Sequence, residues 1–312
     1  MNRRNFLQST VATIAGSAIP ARAAAAARII DTHVHFYDPT RQQGVPWPGN
    51  GTPLYRTVLP EDWKMVASPF GINSVVVVEA SQWVEDNQWI LDLAAKEKCI
   101  AGFIGNLDPT DPTFSANLKR FAANPLFRGI RWRGDLVEVD ATKEPVQRGA
   151  KELADHGLVL ELNGKPPMLI EAAKIARELP ALRIMIDHVA GAGDATHLSD
   201  EWREGLSLAG ERPNIYLKVS GLIEQTDEST KQYGSAPRDT AYYKPVLDHC
   251  WECFGADRLV YGSNWPVCEK GGHYGDQFKI VSEYFDSKGG EASEKYFWKN
   301  SRAAYRWTER KA

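Results

Sequence analysis

Short apolar runs recur eight times along this chain, at 29–34, 74–80, 100–105, 127–132, 158–162, 183–189, 214–219 and 258–261. Each is rich in Val, Ile or Leu without strict polar alternation, the pattern of strands in a parallel sheet covered on both faces. Helical patterns fill 86–98, 112–123, 144–156, 167–179, 242–254 and 274–287, several ending near Asn124, Gly157, Pro180 or Gly255. Eight β-α units in about 270 residues predict a single-domain (β/α)8 TIM barrel, an α/β fold. The rival, a doubly wound open sheet, loses ground because no Gly-rich phosphate fingerprint follows the first strand. Residues 36–60 form one long Pro- and Gly-rich connection after strand one. Connections of that length are usually functional or disordered, and Trp47 and Tyr55 favour a lid over the barrel mouth.

The N-terminus has a separate meaning. Arg3-Arg4-Asn5-Phe6-Leu7 leads into a soft apolar stretch that ends in an Ala-rich, A-x-A-like segment, the layout of a twin-arginine export signal. We expect residues 1–27 to be a signal peptide, cleaved between Ala23 and Ala27, and residues 28–312 to form the barrel domain. The twin-arginine translocase is then the partner during export, and the mature protein is periplasmic. The stretch is too short and polar to span a bilayer, and no later segment could do so. Removing 1–27 deletes three arginines and no acids, so the net charge of −3 becomes −6. With no basic stripe, such a body has nothing to attract nucleic acid. Four cysteines, Cys99, Cys250, Cys253 and Cys268, lack the second C-x-x-C pair of a zinc knuckle and are expected to be free thiols.

Active sites of this architecture lie at the carboxyl ends of the strands, where period-2 parity sorts side chains to one face or the other. Strand one carries Asp31-Thr32-His33-Val34-His35, and parity places Asp31, His33 and His35 together. Paired imidazoles on one face suit a metal ion or acid–base chemistry. By the same rule Glu79 goes with Ser81, Arg131 with Arg133, Glu161 with Asn163, and Lys218 with Tyr216 and Ser220. Asp187 and His188 are separated, with Asp187 expected outward, and the last strand presents Asn264. Glu161 and Glu79 also have a structural reading, as buried partners of Lys218 or Arg131. Trp83, Trp132 and Trp265 stand beside these positions, either as packing or as flat platforms for a sugar-like ring. So many charged strand ends call for a polar cavity, because unpaired buried charges are costly.

Asp31-Thr32-His33-Val34-His35-Phe36, Arg128-Gly129-Ile130-Arg131, Asp187-His188, Lys218-Val219-Ser220-Gly221 and Tyr261-Gly262-Ser263-Asn264-Trp265-Pro266 occur in that order. Together they resemble the amidohydrolase-related family, in its branch of sugar-acid lactonases and 2-pyrone-4,6-dicarboxylate lactonase. The resemblance spans about 29–308 and implies a barrel hydrolase of cyclic esters. In metal-dependent members His33, His35 and His188 would hold one zinc-like divalent ion. In the metal-independent type the histidines polarise the carbonyl, and Arg131 and Lys218 would anchor the substrate. The family's Gly-Ser-Asp-Trp-Pro is altered here, since Asn264 replaces the aspartate, and an amide is no base. Glu161, ahead of Glu79, is the expected substitute to deliver the water. The expected catalytic set is therefore His33, His35, His188, Glu161 and Asn264, with Arg131, Arg133, Lys218, Glu79, Trp83 and Trp265 toward substrate. The expected substrate is a small molecule, a sugar-acid lactone. Decarboxylation of a small unsaturated or aromatic acid, or silent sugar binding, are the alternatives.

Overall fold

A computed structural model describes residues 28–133 and 141–310, so the expected signal segment lies outside the described residues. Eight strands run β1 Ile30–Val34, β2 Ser74–Val78, β3 Ile100–Gly105, β4 Phe127–Arg133, β5 Val159–Asn163, β6 Arg183–Ile186, β7 Ile215–Val219 and β8 Leu259–Tyr261. All are parallel and pair in chain order. A parallel bridge between Val34 and Trp265, with the His35 N–H donating to the Trp265 carbonyl at 3.0 Å, brings the last strand back to the first. This is the (β/α)8 barrel that the alternation of apolar runs predicts.

Helices cover the outside: α1 Pro60–Ala67, α2 Val84–Lys96, α3 Phe114–Ala122, α4 Glu144–Asp155, α5 Met168–Glu178, α6 Asp200–Gly210, α7 Asp227–Lys231, α8 Thr240–Phe254 and α9 Tyr274–Ser287. Local chemistry sets their ends. In α4, Pro145 occupies the first turn, and Val146, Gly149, Ala150 and Leu153 bury one stripe at helical spacing. Gly157, at φ 64°, then turns the chain into β5 without Cβ strain. The Ser199 side chain caps α6 by accepting from the Trp202 N–H. Cys250 and Cys253 both lie in α8, and all four cysteines are free.

Alternate strand residues divide between two apolar layers. Val75, Val77, Ile130, Leu160, Leu162, Ile184 and Ile186 pack outward against the helices. Ile30, Val76, Val78, Val159, Met185 and Val260 face inward, where Ala304, Tyr305 and Trp307 join them. Ala304 and Tyr305 belong to α11 Asn300–Tyr305, which together with Trp307 just beyond it, a π turn and α10 Gly290–Glu294 forms a C-terminal segment that floors the barrel.

Two parity expectations fail, each for a local reason. The β1 register shifts between Asp31 and Val34. Asp31 accordingly accepts from the Ser263 N–H at 2.8 Å, from Tyr274 Oη of α9 at 3.0 Å and from the His33 backbone N–H at 3.2 Å, and neither imidazole is among its hydrogen-bond partners. Asp187 was expected outward, but it follows Met185 on the inner face. The strand expected to reach residue 189 stops at Ile186, and His188, Val189 and Ala190 take left-handed φ of 51°, 47° and 57°. That turn brings Asp187 and His188 to the same side.

Strand spacing leaves no room at Gly129, where an added Cβ would lie 2.2 Å from the Val159 carbonyl oxygen of β5. We expect Gly129→Ala to destabilise the barrel by about 3 kcal/mol, read as a lowered Tm in thermal unfolding.

Candidate active site

The strand ends surround a cavity of about 910 Å3. His35, Glu79, Arg131, Arg133, Asn163, His188 and Asn264 line it, along with Lys270, Trp47 and Trp132. Trp47 comes from the long loop after β1, which is pinned by a Tyr37–Val58 bridge, and its ring meets His35 edge-on at 5.6 Å. The loop therefore supplies a wall of the cavity. Neither Trp83 nor Trp265 lines it. Trp83 lies half out in solvent, while Trp265 is buried and donates from Nε1 to Glu269 at 3.0 Å. The tryptophans that do line it are Trp47 and Trp132, the latter itself buried and donating from Nε1 to the Leu107 carbonyl at 3.0 Å.

A charged layer lies between this cavity and the apolar floor. Lys218 Nζ, with no solvent exposure, is 2.8 Å from Glu161, 3.0 Å from Asp187 and 3.0 Å from His33 Nδ1. Arg131 forms a second pairing, reaching Glu79 Oε1 from Nε at 2.9 Å and from Nη2 at 2.7 Å. The structural reading of Glu161 and Glu79 as partners of these two cations thus describes their contacts. Glu161 does not reach the cavity as a water-delivering carboxylate would; Lys218 and Tyr305 Oη hold it from below. A group in a strand that is buried on both faces can only point into the floor or the mouth, and the sequence does not say which.

The three histidines cluster, His33 having its ring centroid 4.9 Å from His35 and 4.3 Å from His188. Nδ1 of His35 lies 3.0 Å from both the Val78 and Glu79 carbonyls, so those acceptors assign it the proton and leave Nε2 as the acceptor. His188 Nδ1 meets Ser220 Oγ at 2.9 Å. Burial, reinforced by Arg131, pushes the His35 pKa down to about 3. Burial also takes His188 down to about 4, though Asp187 opposes it. His33 is lowered well below its ordinary value by burial and by Lys218. At neutral pH all three are uncharged acceptors. Burial works against ionisation of Asp187, but Lys218 and His33 outweigh it and hold that carboxyl well below the usual range. Burial and the Asp187 charge push Glu161 the other way, up to about 7.

The donor set closest to metal geometry is His33, Asp187 and His188, whose ligand atoms lie within 4.8 Å of one another. It differs from the expected trio by exchanging His35 for Asp187. Neither Asp187 oxygen has a well-directed hydrogen bond, despite the ion pair with Lys218. Two imidazoles and a carboxylate with free lone pairs fit a divalent ion.

The sequence reading also passes over Glu224 and Lys270. Asn264, at φ 57°, donates from Nδ2 to Glu224 Oε1. Burial raises the Glu224 pKa to about 7, against the Asn264 bond and Lys270. Its place in the loop after the seventh run was the available signal, since such loops form the mouth. Folding raises this carboxyl pKa, so its contribution to stability is present below pH 4.5 and lost as pH rises toward 7. Glu224→Gln should therefore flatten the fall in urea-unfolding stability between pH 5 and 7. An unchanged slope would assign that fall elsewhere.

Comparison with known proteins places the fold among relatives. An L-fucono-1,5-lactonase of Burkholderia ambifaria is 32% identical over 249 residues, covering 79% of this chain and 83% of its own. One from Burkholderia multivorans is 25% identical over 278 residues, 86% of this chain and 92% of its own. A zinc-bound amidohydrolase structure from Burkholderia multivorans has a TM-score of 0.79 at 25% identity, covering 90% of this chain and 100% of its own. A probable 2-pyrone-4,6-dicarboxylic acid hydrolase of Acinetobacter baumannii with citric acid bound shares the fold, with a TM-score of 0.73 at 17% identity over 90% of this chain and 100% of its own. Residues 30–307 match the family described as amidohydrolase, nearly the whole barrel, and the chain belongs to that family.

Proposed function

We propose that this barrel hydrolyses a lactone of a sugar acid. The observation that carries the reading is the cavity itself, in which neutral His35 and His188 and cationic Arg131 converge. The similarity to two L-fucono-1,5-lactonases supports the choice of a cyclic ester. Arg131, fixed by its bonds to the Glu79 carboxylate and backbone carbonyl, holds the carbonyl oxygen as negative charge develops there during attack. His188 accepts the proton of the attacking water, and the Asp187 carboxylate beside it favours the imidazolium that results. His35, anchored at Nδ1, keeps Nε2 directed at the same space. Trp47 and Trp132 offer flat apolar surface to the sugar ring, and Asn163 and Arg133 offer polar contacts. A divalent ion, where held by His33, Asp187 and His188, would polarise the carbonyl and acidify the water itself, His188 then being a ligand and not the base.

A pH-indicator assay over a panel of 1,5- and 1,4-aldonolactones tests the reading, and no hydrolysis of any of them would sink it. Arg131→Lys keeps the charge but loses the planar fork, so kcat/KM should fall by about 100-fold with little change in Tm.

We also infer that the hydrolase works in the periplasm, on the strength of Arg3-Arg4 and the Ala-rich segment behind them. Replacing both arginines by lysine should leave the protein in the cytoplasmic fraction. Its appearance in the periplasm of the variant strain would overturn the export route.

A further inference from the structure

Asn264 stands where the family resemblance implies an aspartate, yet the structure sets a carboxylate beside it. Its Nδ2 donates to Glu224 Oε1, and Glu224 sits on the short turn Ile223–Gln225 that follows β7. The same turn is tied to the histidine segment, because Gln225 Nε2 donates to the His188 carbonyl at 3.3 Å and to that of Gly221. Gly271, from the loop after β8, packs so closely on this turn that a Cβ there would lie 2.3 Å from the Ile223 carbonyl oxygen. Glu224 is therefore held in place from both loops.

This bond has a consequence for direction. An amide has one donor end and one acceptor end, and a carboxylate acceptor selects the donor end. With Nδ2 turned to Glu224, Oδ1 must face the other way. That oxygen is buried, makes no well-directed hydrogen bond among the described residues, and belongs to a side chain that lines the cavity and interacts with His35. Such an acceptor is costly unless a ligand or water donates to it. Glu224 does not line the cavity, so it acts through the amide and not on the substrate.

We propose that Glu224 is a positioning residue that locks the Asn264 amide with Oδ1 toward the cavity, as the hydrogen-bond acceptor that orients the attacking water. The pair keeps the orienting half of an aspartate's role and gives up proton acceptance to the neighbouring imidazole. This rests on the hydrolase reading for its catalytic consequence, but the orientation of the amide stands apart from it.

The test compares Glu224→Gln, whose amide oxygen still accepts, with Glu224→Leu, which cannot. E224Q should stay within about threefold of the wild-type kcat, while E224L loses at least about tenfold in kcat with KM little changed. Asn264→Asp should lose activity because two carboxylates then face each other, and N264D/E224Q should recover it. An E224L enzyme with wild-type kcat, an E224Q enzyme as damaged as E224L, or an N264D enzyme needing no second change would each overturn the proposal. Crystal structures of wild type and E224L at a resolution that assigns the amide read the orientation directly. An amide that keeps Oδ1 toward the cavity in E224L overturns the proposal whether or not any lactone is hydrolysed. An inactive wild type whose amide turns in E224L sinks the hydrolase reading and leaves the orientation claim standing.

Discussion

Lys218 lies in the middle of the barrel with no solvent contact, and its ammonium is shared among Glu161 of β5, Asp187 after β6 and His33 of β1. Four strand ends are thereby tied to one charge. Breaking such a group by removing one partner leaves others buried and uncompensated, a loss of several kcal/mol. The cavity above depends on it. Lys218 and His33 hold the Asp187 carboxyl low against its burial, while burial first, and Lys218 after it, pushes the His33 pKa down. Arg131 with Glu79 repeats the device one strand pair away, closer to the cavity.

The consequence for chemistry is a site whose imidazoles are acceptors and whose cations are fixed. Burial alone would neutralise the histidines, and the nearby cations strengthen the effect. A neutral imidazole beside an ionised carboxylate can take a proton and be stabilised once it has done so. In the proposed reaction, charge that develops on a carbonyl oxygen would meet Arg131 without any reorganisation of solvent. Catalysis of acyl transfer asks for both at once, and here one layer of side chains supplies them.

Much of the barrel was readable because parallel strands leave a coarse imprint. Runs such as 100–105 coincide with β3, and the pattern at 274–287 coincides with α9. What parity could not deliver was the face of each polar group. A strand buried on both sides, such as Ile184-Met185-Ile186, is apolar throughout, so nothing in it distinguishes inward from outward. The shift in β1 and the left-handed turn at His188–Ala190 then broke the count where it mattered most. Contacts between loops distant in sequence, such as Asn264 with Glu224, leave no periodic signal at all. Residue identity marked the histidines, Arg131 and Lys218 as unusual for apolar strands, and the structure brings them together at and beneath one cavity.

Tyr305 reaches through the barrel floor to Glu161, and its ring lies 5.5 Å from Lys218 Nζ. The last helix of the described chain is thus part of the same charged layer as strand one. A partly synthesised chain can pair strands, but it cannot satisfy that layer until its C-terminal turn arrives. A chain cut short before Tyr305 would lose the hydroxyl that bonds Glu161 and, with Ala304 and Trp307, part of the apolar layer inside the barrel.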